Sequence, residues 1–186
     1  MKILSTNILQ ATSRCSAPTL MVAAWFFLSL SPVKSAETFT NWNWVNLGLS
    51  IPQTNLYIGD KIIAGISISN AVDEEHVIFR ESTNACSCGF AWFSIIEVPS
   101  GKKLKYPFVP SGFGSFKPFS GHKFESLDCN LVEVYTITNA GVYSIAAVGW
   151  FPTNEHPTNK SQFVTVTTPP IIISLLPKPE TNAPPK

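Results

Sequence analysis

The chain has 186 residues, of which 45% are apolar and only 13% charged, with 13 basic and 12 acidic side chains and a net charge of +1. Nucleic-acid binding needs concentrated basic charge. The one local cluster here, Lys102, Lys103 and Lys105, reads as a solvated turn, so a nucleic-acid partner is not expected.

At the amino end, Lys2 and Arg14 precede an apolar run from Leu20 to Leu30, and the small residues Ser31, Ser35 and Ala36 follow. The run is too short to span ~30 Å of hydrocarbon as a helix. A positive end, an apolar core and small residues, in that order, predict a secretory signal over residues 1–35. Cleavage after Ser35 fits best, and no Asp or Glu occurs in this stretch. The expected location is secreted or extracytoplasmic. Losing Lys2, Arg14 and Lys34 leaves 10 basic against 12 acidic residues, a net charge of −2. No later run is long enough for a stable membrane span; that of Ile171–Leu176 is too short. About 150 residues suffice to bury roughly two thirds of the unfolded surface in one core.

Residues 36–50 are rich in Thr, Asn and Trp and read as an amino-terminal arm with room for a short strand. Trp42 and Trp44 would share a side if it is extended. The main domain is assigned to residues 51–176. Its clearest strand is Ile62–Asn70, where Ile62, Ala64, Ile66 and Ile68 face one way and Ile63, Gly65, Ser67 and Ser69 the other. After a turn at 70–75 come strands at His76–Arg80 and Ala91–Val98. Pro99, Ser100 and Gly101 make a strong turn signal, and Leu104–Val109 is predicted extended.

The stretch from Tyr106 to Lys123 carries Pro107, Pro110, Pro118, Gly112, Gly114 and Gly121 between Phe108, Phe113, Phe116 and Phe119. Proline and glycine at this density break regular structure, so these rings are expected partly on loops. Leu131–Thr138 and Val142–Trp150 read as a hairpin around Asn139, Ala140 and Gly141, with Gly141 able to supply a left-handed position. Gln162–Thr167 and Ile171–Leu176 complete the strands, and the proline-rich stretch 177–186 reads as a disordered tail. Seven to nine short strands without a convincing helix predict an all-β, antiparallel two-sheet β-sandwich.

The segment Tyr135-Thr136-Ile137-Thr138-Asn139-Ala140-Gly141-Val142-Tyr143-Ser144-Ile145 resembles the hairpin near the end of secreted immunoglobulin-like and fibronectin-like modules. It is also similar to the sandwich preceding the catalytic domain of deuterolysin-type metallopeptidases and to small sandwich inhibitors of serine peptidases. The resemblance covers Gly121–Trp150 and implies an immunoglobulin-like sandwich, without the Cys–Trp–Cys spacing of true immunoglobulin domains.

Cys15 lies in the leader, leaving Cys86, Cys88 and Cys129. Export favours disulfides, and the expected bridge joins Cys129 to Cys86 or Cys88. The odd cysteine would then be free to make a disulfide-linked dimer. Soft-metal binding by Cys86, Cys88 and Cys129 is chemically conceivable, but His76, His122 and His156 show no diagnostic ligand spacing, and no metal or cofactor is assigned.

No zinc-peptidase helix, nucleophile elbow or phosphate-binding loop is present, and the sequence leans against catalysis. The preferred reading is a secreted non-catalytic binding or interaction module for a protein or a glycan, using Trp92, Phe108, Phe113, Phe116 and Phe119. Two alternatives accompany it: a peptidase inhibitor acting through the loop at 110–118, and a structural extracellular protein. Asn159, in Asn159-Lys160-Ser161, is a candidate glycosylation acceptor.

Overall fold

Alternation of buried and exposed side chains builds most of this molecule. The computed structural model describes residues 35–81, 91–105, 114–154, 157 and 162–179. Residues 1–34 of the expected leader, Phe108, Phe113, Cys86, Cys88, Asn159 and residues 180–186 of the expected tail lie outside the described residues.

The described residues form an all-β protein. Its strands are β1 (Ala36–Trp42), β2 (Val45–Ile51), β3 (Asn55–Tyr57), β4 (Ile63–Asn70), β5 (His76–Glu81), β6 (Ala91–Glu97), β7 (Lys102–Lys103), β8 (Gly114–Phe119), β9 (Phe124–Asn130), β10 (Gly141–Pro152), β11 (Phe163–Thr167) and β12 (Ile171–Leu176). One helical turn, α1 (Leu131–Val134), precedes β10. The strands fall into three sheets: four strands in the order β1-β2-β4-β9, six in the order β3-β12-β10-β6-β7 with β11 also on β10, and the ribbon β5-β8. This corrects the expectation of seven to nine strands in two purely antiparallel sheets. The additional strands β3 and β7 are too short to show alternation, and β3 pairs with β12 in parallel.

Ile62, Ala64, Ile66 and Ile68 are buried as their spacing predicts, while Ile63 is exposed. Together with Val45, Leu47, Leu49 and Ile51 they share one core with Phe93, Ile95, Tyr143, Ile145, Ala147, Phe151, Ile171 and Ile173. Residues 36–50 supply β1 and most of β2, and β2 is paired on both sides, with β1 and β4.

β10 organises the larger sheet. One edge pairs with β6 over Tyr143–Gly149. The other takes β12 over Gly141–Ile145 and β11 over Val148–Pro152. Between them Thr168 is buried, and its hydroxyl accepts from the Ala147 amide at 3.1 Å while its own amide donates to the Ala147 carbonyl. Thr38 and Thr40 of β1 donate their hydroxyls to the carbonyls of Pro169 and Thr167. Those bonds tie the outer strand of the four-stranded sheet to the β11–β12 corner and so cover an edge that would otherwise be open.

The predicted hairpin at 131–150 does not form. Residues 131–134 are helical, Gly141 opens β10 without a left-handed φ, and β10 takes β6 as its antiparallel neighbour. The reason lies in what is buried. Leu131 and Tyr135 are both almost fully inaccessible and stand four residues apart, which is helical spacing. The Pro99–Gly101 turn does form, with Gly101 at φ 66 and its amide donating to the Glu97 carbonyl.

The expected bridge from Cys129 to Cys86 or Cys88 is not seen among the described residues, because Cys86 and Cys88 lie outside them. No two described cysteines lie at disulfide distance, and Cys129 is the one cysteine among the described residues. It sits on β9 facing the core, 3% exposed, and is not a free thiol.

Candidate functional site

β1 and β2 pair from Ala36↔Ile51 to Trp42↔Val45, which leaves Asn43 and Trp44 as a two-residue turn. Asn43 has φ 51, a conformation its short amide side chain tolerates better than most. The chain is therefore not extended across the two tryptophans. Trp44 turns inward and is 6% exposed; Trp42 remains half-buried.

Trp44 is the pivot of this end of the molecule. Its ring stacks on His76 at 4.5 Å with an interplanar angle of 8°. Phe151 meets it edge-on at 6.0 Å, and Phe119 is tilted against it at 6.4 Å. The Trp44 carbonyl accepts from the Ala71 amide, which holds the chain leading into β5 beside the turn. Around this pivot opens a cleft of about 170 Å³ lined by Trp42, Asn43, Trp44, His76, Val77, Pro152, Thr153 and Asn154. Among the described residues that line it there is no Lys, Arg, Asp or Glu.

A strip of rings continues from the cleft. Val77 and Phe79 share one side of β5, as do Trp150 and Pro152 on β10, because side chains two apart share a face. Phe163 pairs with Pro152, and Phe116 with Phe79. Trp150 and Phe163 lie 4.5 Å apart between ring centroids, Phe163 and Phe116 6.3 Å, and Phe116 and Phe79 5.4 Å. Phe116 is 41% exposed and the other three are half-buried. None of the four belongs to the buried core.

Of the rings expected to bind, Phe116 stands in the middle of this strip. Phe119 is fully buried and packs against Trp44, with Lys123 Nζ 5.6 Å from its ring centroid. Trp92 is half-buried on β6, opposite Val148. The part of the 110–118 loop that is described, from Gly114 onward, is strand β8. Pro118 is accommodated there because a two-stranded ribbon has only edge strands. Sequence reasoning passed over Trp42, Asn43, His76, Phe79, Trp150, Thr153, Asn154 and Phe163 as site residues. The available signal was the run Asn41-Trp42-Asn43-Trp44, where two large rings alternate with amides in a stretch read as an arm.

Among the described residues no group of three or more His, Cys, Asp or Glu side chains is placed to hold a metal ion, and no helix is long and apolar enough to cross a membrane. The chain matches no protein-family model and no curated protein.

Proposed function

We propose that this chain is an extracytoplasmic, non-catalytic binding module whose ligand lies along the aromatic surface from Trp42 to Phe79. The observation that carries the reading is the strip itself. Four rings touch in sequence, stay partly in water, and are not needed to complete the core. Contiguous exposed apolar surface marks interaction sites more often than isolated side chains do, and aromatic side chains contribute disproportionately to binding energy. Support for the compartment comes from the order of charge, apolar core and small residues between Lys2 and Ser35.

The test is retention on arrays of glycans and of extracellular proteins, comparing the chain with Phe116→Ser and Trp150→Ala variants. A ligand retained by the parent chain and weakened about tenfold or more by either substitution, or some 1.4 kcal/mol, is the expected result. A ligand held equally by all three chains would move the site elsewhere, and no retention on either array would refute the reading.

A further inference from the structure

We infer that the cleft beside the strip takes one ring of an uncharged carbohydrate. This inference rests on the reading of the aromatic surface as a ligand-binding face and names the ligand class for one end of it. Four features of the cleft converge on that class.

Its volume of about 170 Å³ leaves room for a small group and not for a folded peptide or a whole oligosaccharide. Its walls include the half-buried indole of Trp42, and Trp44 with His76 stacked in parallel on it. An aromatic face of this kind packs against the C–H face of a sugar, burying apolar surface without demanding charge. Its polar groups are two side-chain amides, one hydroxyl and one imidazole. Asn43 and Asn154 have exposed side chains that make no hydrogen bond to a described residue. Thr153 donates its hydroxyl to the Gln162 carbonyl at 2.9 Å, so its oxygen is left to accept.

Amides both donate and accept, as sugar hydroxyls do, so the pairing is reciprocal. The fourth feature is charge. The described residues that line the cleft include no Lys, Arg, Asp or Glu, so these walls supply no permanently charged partner to the phosphate of a nucleotide, the carboxylate of a uronic acid or the side chain of a basic peptide. A small, neutral, hydroxyl-rich group is the chemistry that leaves none of these walls mismatched. A longer oligosaccharide would leave the cleft past Val77 and Pro152 and run onto Phe163 and Trp150, the same residues that begin the strip.

The test titrates the full chain with three probe sets: neutral oligosaccharides, uronic-acid oligosaccharides and unglycosylated peptides. Intrinsic tryptophan fluorescence is the readout. The expected result is a saturable change with at least one neutral oligosaccharide, weakened about fivefold or more by Asn154→Ala and by Trp42→Ala. Phe116→Ala, in the strip but outside the lining of the cleft, should alter a disaccharide's affinity by less than about twofold. Asn154 is exposed, so its substitution does not threaten the fold and keeps the test decisive if Trp42→Ala unfolds the turn. No saturation by any neutral saccharide up to about 10 mM overturns the inference, as does saturation that Asn154→Ala and Trp42→Ala leave unchanged. A peptide that binds through Phe116 while saccharides do not would overturn the carbohydrate assignment and leave the binding-module reading intact.

Discussion

Tyr135 donates its phenolic hydroxyl to the backbone carbonyl of Phe93, 42 residues earlier, at 2.5 Å and out of contact with water. The bond joins the segment after α1 to the middle of β6, two elements with no strand pairing between them. Removing the hydroxyl leaves the Phe93 carbonyl without this donor in a buried setting. Tyr135→Phe keeps the ring and is expected to lower stability by about 1–3 kcal/mol. Urea denaturation reads this as a fall in midpoint at unchanged slope. An unchanged midpoint would show that the bond contributes nothing net.

Gly121 sits where two loops touch. A Cβ built on it would lie 2.1 Å from the Asp73 carbonyl oxygen and 2.6 Å from the carbonyl carbon, both backbone atoms. The same loops are joined by the His122 amide donating to the Val72 carbonyl and by the His122–Asp73 side-chain contact at 2.6 Å. Gly121→Ala must push them apart, and the expected loss is about 1–3 kcal/mol, as for an overpacked site. Gly141→Ala is the control. Its nearest new contact is the Tyr143 ring at 3.7 Å, an ordinary packing distance, and the expected change stays within about 0.5 kcal/mol. Equal thermal midpoints for the two variants would contradict the argument.

These positions also mark where local sequence stops being informative. β4 and β6 were legible because one face of each alternates with the other, and the buried side chains are the ones the alternation selects; β11 and β12 were legible as short runs of strand-forming residues between turn signals. β2 carries the same alternation, Val45, Leu47, Leu49 and Ile51 against Asn46, Gly48 and Ser50, but the Thr, Asn and Trp around it make the stretch read as an arm with room for only a short strand. β8 was hidden by Gly114 and Pro118, which an edge ribbon tolerates and a central strand does not. The pairing of β10 with β6 is set by core burial around Tyr135 and Phe93, not by the Asn139–Gly141 turn. The cleft was illegible for the same reason. Asn43, His76 and Asn154 come together only because the β1–β2 turn and the ends of β5 and β10 meet at Trp44.

Glu125 connects stability to pH. Burial by itself raises its pKa, but hydrogen bonds from Lys123 and Arg80, and their positive charges, outweigh that and hold the carboxyl below its ordinary range. Arg80 donates to both carboxylate oxygens through Nη2, and Lys123 Nζ lies 2.9 Å away. A carboxyl whose pKa is lower in the folded than in the unfolded state stabilises most when both states are ionised. That contribution is whole above the unfolded value of about 4.3 and disappears as pH falls through the depressed folded value. The stability difference between the parent chain and Glu125→Gln is therefore expected to be flat from about pH 7 to pH 5 and to shrink below about pH 4. It should also diminish in high salt, since Arg80 and Lys123 are partly exposed. A difference that grew toward acid would mean that burial, not the two cations, dominates at this carboxyl.

Asn70 makes the sharpest test of the polar framework beneath the cleft. It is 2% exposed at the end of β4. Its amide nitrogen donates to the Glu74 carbonyl at 2.7 Å and the Phe119 carbonyl at 3.0 Å, and its oxygen accepts from the Val72 amide at 3.1 Å. Three backbone groups, two from the turn after β4 and one from the end of β8, are thus satisfied by one side chain. Asn70→Asp preserves shape and the bond from Val72 but turns both donations into contacts between oxygens, with a negative charge at neutral pH. The expected loss is about 3 kcal/mol or more at pH 7, because a buried carboxylate is unpaired and two carbonyls lose their donor. Burial and the facing carbonyls would raise the new carboxyl's folded pKa above its unfolded value. The variant should therefore regain part of the loss, relative to the parent at the same pH, as pH falls and the protonated acid donates one of the two bonds. Parallel urea titrations at neutral and acidic pH measure this, and a deficit that stays constant between them would show that shape, not the direction of donation, is what Asn70 supplies.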